Sequence, residues 1–227
     1  MWTLALACAF FLGIHVMIGA TPLRGRVVAR IGAVAWYILF SLISLVSFTW
    51  LCIAFLMALG DHFNVVFWGA PLFLRVIALV FNFFAFLLVV LGVTTPSPTN
   101  LLALRKLPEK PVYGIIRISR HPVLAGIGMW AAIHFICNGN LASWLFFGSI
   151  IILCAIGANN IDRKRMADFP AYASIKKRTS IVPFVAIIEG RTAFAPEELG
   201  IARVFLAASM FSVFLVLHEM LFTARAL

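Results

Sequence analysis

Three of the five histidines, His15, His134 and His218, stand inside long apolar stretches, where an ionisable side chain is costly and is therefore a candidate for function. His15 and His134, with no carboxylate nearby in sequence, suit metal or haem ligation; His218 is followed by Glu219. One hydrogen bond to a neighbouring helix would explain any one of them, whereas three in one chain weigh towards a shared role. Spacing adds detail. Gly126, Trp130, His134 and Asn138 recur every four residues and share one helix face, presenting a gap, an aromatic plate, an imidazole and an amide. Cys8, Phe11, His15 and Gly19 share a face in the same way. Such faces leave room for a flat ring system inside a helix bundle. They also serve ordinary close packing, which spacing taken alone favours. Arg75 and Glu219 lie near the ends of apolar stretches and read as side chains reaching for the interface.

Other chemistries find no support. There is no phosphate-cradling glycine loop, no G-x-S-x-G and no H-E-x-x-H, so neither nucleotidyl transfer nor hydrolysis has a visible motif. The four cysteines sit in separate apolar segments, with no C-x-x-C and no C-x-x-C-H, which argues against a zinc ribbon, a dithiol redox site and covalently attached haem. The net charge of +10 comes from short basic groups between apolar runs rather than one patch, so it reads as a topology signal and not as a nucleic-acid footprint.

The elements that must position the histidines follow from composition. With 63% hydrophobic and 11% charged residues in 227, the chain reads as a polytopic membrane protein of all-α class, a bundle of about six transmembrane helices in a single domain, residues 1–227. The expected spans are 2–20, 31–59, 72–93, 121–137, 141–158 and 201–222. Thr21-Pro22 stops the first, Pro96-Ser97-Pro98 follows the third, and Asn138-Gly139-Asn140 makes the turn of a hairpin between the fourth and fifth. Residues 159–200 are expected on the cytoplasmic side, with Ile181 to Ile188 too short to cross and read as interfacial. The first apolar run has no basic flank before it, so cleavage is not expected.

Basic residues alternate between loops. Arg24, Arg26 and Arg30 follow the first span; Arg105, Lys106, Lys110, Arg117 and Arg120 follow the third; seven more lie in 159–200. The intervening loops hold none. Six spans in a bacterial inner membrane with both termini periplasmic satisfy the positive-inside rule.

The block Arg120-His121-Pro122-Val123-Leu124-Ala125-Gly126, followed by Trp130, His134, Asn138-Gly139-Asn140, Leu141-Ala142-Ser143 and Phe147-Gly148, resembles the signature of the NnrU family of bacterial membrane proteins. Gly13 to Arg24, Leu39-Phe40-Ser41-Leu42, Thr179 to Phe184 and Gly190-Arg191 extend the likeness over nearly the whole chain. The resemblance implies a protein associated with denitrification, acting beside nitrogen-oxide respiratory enzymes as an electron-transfer, haem-handling or maturation component. That family is similar to 15-cis-zeta-carotene isomerase, which uses non-covalent haem b held by membrane histidines; the matching positions are His15 and His134. A cysteine that follows the tryptophan in the isomerase is Ala131 here. Trp130, Gly126 and Asn138, on the same helix face as His134, would line such a site, and Arg120 and His121, at the cytoplasmic mouth of the fourth span, either pair with a propionate or another anion or serve as interfacial anchors. Haem-dependent isomerisation of a polyene, or a cofactor-free assembly role, are the alternatives within it. A second resemblance runs from R-H-P-x-x-x-G through Asp162, Phe169, Tyr172 and Pro183, and is similar to membrane methyltransferases of the isoprenylcysteine type.

Depth and motif point to different partners for His134. With both termini outside, His15 falls roughly 9 Å from the cytoplasmic edge and His134 roughly 6 Å from the periplasmic edge at ~1.5 Å per residue. In a core of ~30 Å the two differ by roughly 15 Å, which favours His134 with His218, whereas the motif favours His134 with His15. The topology that underlies this arithmetic is checked by reporter fusions at Gly60, Lys110 and Asn140, which should read outside, inside and outside; any reversal removes the proposed orientation.

Overall fold

A computed structural model describes residues 1–20, 23–99 and 107–222. Its helices are α1 Trp2–Ala20, α2 Leu23–Ile31, α3 Ala33–Leu59, α4 Leu72–Thr94, α5 Ile115–Ile118, α6 Pro122–Cys137, α7 Leu141–Asp168, α8 Tyr172–Arg178, α9 Val185–Ile188 and α10 Ile201–Phe222. Two short strands, β1 Val66–Trp68 and β2 Gly139–Asn140, pair antiparallel with Val66 opposite Asn140. α3, α4, α7 and α10 are long and apolar enough to cross a membrane, and α1 and α6 are shorter apolar helices. The chain is an all-α multi-pass membrane protein. Its spanning helices are apolar on all sides because lipid solvates the outer face as readily as protein covers the inner one. Leu42, Leu45, Val46 and Ile53 of α3, for example, are exposed.

The limits of helices α1, α4, α6 and α10 lie within a residue of those expected for the first, third, fourth and sixth apolar stretches. Thr21, Pro22, Arg105 and Lys106 lie outside the described residues. Two elements differ. Residues expected as a basic loop form α2, which accommodates Gly25 in its first turn and ends at Gly32, whose φ of 81° stops it before α3 starts afresh. α7 continues ten residues past Ala158 into polar sequence, since Asp162 and Arg165 are buried there and hold the extra turns in place.

The chain forms two compact units, Met1–Ala70 with His134–Asn160, and Pro71–Ile133 with Ile161–Leu227. Each is assembled from two separated stretches, so no linker marks them. In the first, α1 packs on α3, and Phe55 stacks on Phe146 at 4.4 Å. Asn64 and Asn140 accept the Ala142 and Ser143 amides at 2.9 Å, closing the start of α7 where backbone donors would otherwise be orphaned. In the second, α4 packs on α10 through Phe83, Phe86, Phe211 and Phe214. α6 reaches α4 through a glycine: a β-carbon on Gly126 would lie 2.7 Å from the Ala85 carbonyl oxygen and 2.7 Å from Val89 Cγ2. Gly126 is thus a close-approach residue.

That contact predicts an asymmetry among glycines. Gly126→Ala must push α4 and α6 apart and should cost about 1–3 kcal/mol, read as a lower apparent melting temperature in detergent. Gly13→Ala, with nothing within 4 Å of the new carbon, should be neutral. Equal behaviour of the two would remove the close-packing account.

Candidate functional site

The densest polar construction in the second unit gathers around one carboxylate just beyond the apolar part of α7. Arg120 and His121 immediately precede α6, Asp162 follows the span portion of α7 by four residues, and Tyr172 opens α8. All four are buried. Asp162 Oδ2 accepts Arg120 Nη2 at 2.6 Å and Nε at 3.0 Å. Its Oδ1 accepts His121 Nε2 and Tyr172 Oη, each at 2.7 Å. Because a carboxylate offers only acceptors, His121 carries its shared proton on Nε2.

Bonds between two segments about 60 residues apart in the chain set up this convergence. Segment 118–121 lies against 180–184: Arg120 N donates to Ser180 O at 2.9 Å, Phe184 N to Ile118 O at 3.0 Å, and Ser119 Oγ to Ile181 O at 2.7 Å. Arg120 Nη1 also donates to Thr179 O at 3.2 Å, a carbonyl that takes Arg191 Nη1 at 2.7 Å as well. Phe184 holds φ at 67°, a left-handed conformation that a β-carbon disfavours, so the turn is imposed by its surroundings.

Burial by itself would raise the Asp162 carboxyl, but the bonds from His121, Arg120 and Tyr172 outweigh it and hold the group well below the usual carboxylate range. Tyr172 is pushed upward by burial and by its bond to that charge. A saturated carboxylate and a phenol held protonated make a poor acid–base pair at neutral pH, and the cluster fits a structural clamp. Arg120 and His121, expected at a site mouth, have Asp162 as their partner. Phe169 covers the Arg165 guanidinium at 5.5 Å beside it.

The membrane histidines sit elsewhere. His15 is half-buried in the first unit. Its Nδ1 lies 2.7 Å from Phe11 O and its Nε2 3.4 Å from Ser44 Oγ, and the ring lies against Phe11 at 4.6 Å and Phe40 at 5.4 Å. His134 is half-buried in the same unit, 5.1 Å from the Phe147 ring, and Asn138 Nδ2 donates to its carbonyl at 2.9 Å. Asn138 therefore serves the end of α6. Trp130 and His218 are half-buried in the second unit. Among the described residues no group of three or more His, Cys, Asp or Glu is set to hold an ion. A haem supplies four nitrogen ligands itself and asks the protein for one or two.

Sequence reasoning reached Asp162 and Tyr172 only through the methyltransferase likeness. Positions 120, 162, 172 and 179 have no common period, and the one available signal was an aspartate at the head of the basic run Arg163-Lys164-Arg165.

The model of the family described as NnrU protein matches residues 3–226. The chain is 36% identical over 101 residues to the chloroplastic 15-cis-zeta-carotene isomerase of Zea mays, covering 42% of this chain and 28% of that one. Against the Arabidopsis thaliana isomerase the identity is 36% over 108 residues, 45% of this chain and 29% of the other. The match thus spans under a third of the length of these relatives. No solved structure matches.

The clamp makes two measurable commitments. Asp162→Asn leaves Arg120 buried without its counter-charge and should cost about 3–5 kcal/mol, whereas Tyr172→Phe, losing one bond to a charged acceptor, should cost about 1.5–3 kcal/mol. Since the folded-state pKa of Asp162 lies below its unfolded value, its stabilisation is present at neutral pH and is lost as pH falls below the ordinary carboxylate range. Melting temperature against pH in detergent should show that acid loss in the parent and not in Asp162→Asn; parallel profiles would contradict the clamp.

Proposed function

The chain belongs to the NnrU family, and from that premise we propose that it is an integral inner-membrane protein that binds haem b non-covalently and serves nitrogen-oxide respiration as an electron-transfer, haem-handling or maturation component. The observation that carries the cofactor is the setting of His15. Its Nδ1, donating to the Phe11 carbonyl at 2.7 Å, leaves the lone pair on Nε2, whose own contact is a long and replaceable 3.4 Å approach to the Ser44 hydroxyl. An imidazole whose other nitrogen is fixed by a backbone carbonyl is the usual form of a metal-ligating histidine. Phe11 and Phe40 beside the ring provide an apolar wall.

His15 and His134 belong to the same compact unit and are the residues that would hold the haem, with the Phe147 ring 5.1 Å from the second imidazole. Haem held there would supply a one-electron iron centre. The chain's own part is to present Nε2 of His15, to keep its tautomer through Phe11 and to exclude water with aromatic rings. The name of the plant relatives supports a second reading, isomerisation of a double bond in a polyene, at the same histidines. The methyltransferase reading loses ground because its Arg120, Asp162 and Tyr172 are spent on one another.

Protein purified in detergent from a haem-sufficient host should show a Soret band, and acid-acetone should extract the pigment. His15→Ala and His134→Ala should each lower retained haem at least tenfold, while His218→Ala stays within twofold of the parent. Loss in His218→Ala with retention in His15→Ala would replace the pair by His134 and His218. Colourless protein that takes up no added hemin would end the haem reading.

A further inference from the structure

Outside the spans, the second unit contains a cleft of about 390 Å³ that the clamp does not use. Glu109, Lys110 and Tyr113 from the segment before α5, Arg117 of α5, Arg178 at the end of α8 and Glu198 line it. Its charges divide into a closed pair and an open set. Arg117 Nε and Nη2 donate to Glu198 Oε2 and Oε1 at 2.7 and 2.8 Å, and Gly114 N adds a bond of 2.7 Å to Oε2. Arg117 Nη1 is tied to Thr192 Oγ1 at 3.2 Å. This bidentate pair is a neutral and fixed floor.

The open set is basic. Lys110 and Arg178 are exposed and enter none of the ion pairs among the described residues; the carboxylates near them are Glu109 and Glu198, and Glu198, on which Lys110 acts only through its charge, has both oxygens taken by Arg117. Arg178 ends the run Lys176-Lys177-Arg178, and no acidic residue lies between Asp168 and Glu189. The cleft also adjoins the membrane, for Glu198 stands three residues before α10. A concave site with a paired floor and two cations outside any ion pair, one a point charge and one a planar fork, matches an oxyanion with several acceptor oxygens.

We propose that this cleft binds a phosphate group, with Lys110 and Arg178 as its cationic ligands. The phosphate comes either from a phospholipid headgroup or from a soluble phosphate compound, and the volume accommodates both.

The test uses the full chain and one pair of substitutions, Lys110→Gln with Arg178→Gln, both at exposed positions, beside the control pair Lys176→Gln with Lys177→Gln. In the lipid arm, native mass spectrometry compares phosphatidylglycerol with phosphate-free monogalactosyldiacylglycerol. In the soluble arm, inorganic phosphate is titrated against the melting temperature in detergent. The parent should prefer phosphatidylglycerol or be stabilised by phosphate, the cleft pair should weaken that response roughly tenfold, and the control pair should stay within twofold. A response in the first arm identifies a lipid, and one in the second a soluble compound. Equal weakening by both pairs would show a diffuse basic surface and overturn the proposal. So would a parent that responds in neither arm.

Discussion

The buried carboxylate of Asp162 is the constraint on which the extramembrane part of the second unit depends. It takes donors from the segment before α6 and from the start of α8 while itself projecting from the continuation of α7. A charge removed from water is costly unless its partner and hydrogen bonds are complete, and here they are: guanidinium, imidazole and phenol occupy both oxygens. The clamp also explains why α7 does not stop where its apolar sequence does. Continuing the helix carries Asp162 to its donors, and Thr179, Ser180 and Arg191 then close the neighbouring turn around Arg120.

Within the membrane no comparable polar interaction is needed. Lipid and protein are equally apolar surroundings for a leucine, so packing rests on shape. Gly126 lets α6 touch the backbone of α4, and aromatic rings fill the space between α4 and α10. Against that background the half-buried imidazoles are conspicuous because each must satisfy two nitrogens with little water at hand. His15 does so with a carbonyl of its own helix and a distant hydroxyl, an arrangement that leaves one nitrogen available to a stronger partner.

Much of the fold was legible in the sequence, and for a physical reason: a span is a one-dimensional property. Apolar length and the residues that end it are read along the chain without knowing what any residue touches, so α1, α4, α6 and α10 agree with expectation within a residue. α2 was not legible in this way, because its hydrophobicity is low and Gly25 stands in its first turn. Asn138 and Gly126 shared a face with His134 in the sequence, yet one finishes a helix and the other admits a neighbouring backbone. Spacing reports which residues are neighbours on a helix but not which surface they meet.

By itself the sequence determined the class, the number of apolar helices and the limits of most of them, the loops in which basic charge collects, and membership of a family whose model matches nearly the whole chain. Tertiary structure decided the rest. It divided the helices into two units, each drawn from separated stretches, and turned Arg120 and His121 towards Asp162. It also put Tyr172 in the same cluster and paired Arg117 with Glu198 across 81 residues. These outcomes depend on which distant donors reach one acceptor, a quantity fixed by the packing of helix ends and turns, and no periodicity along the chain encodes it.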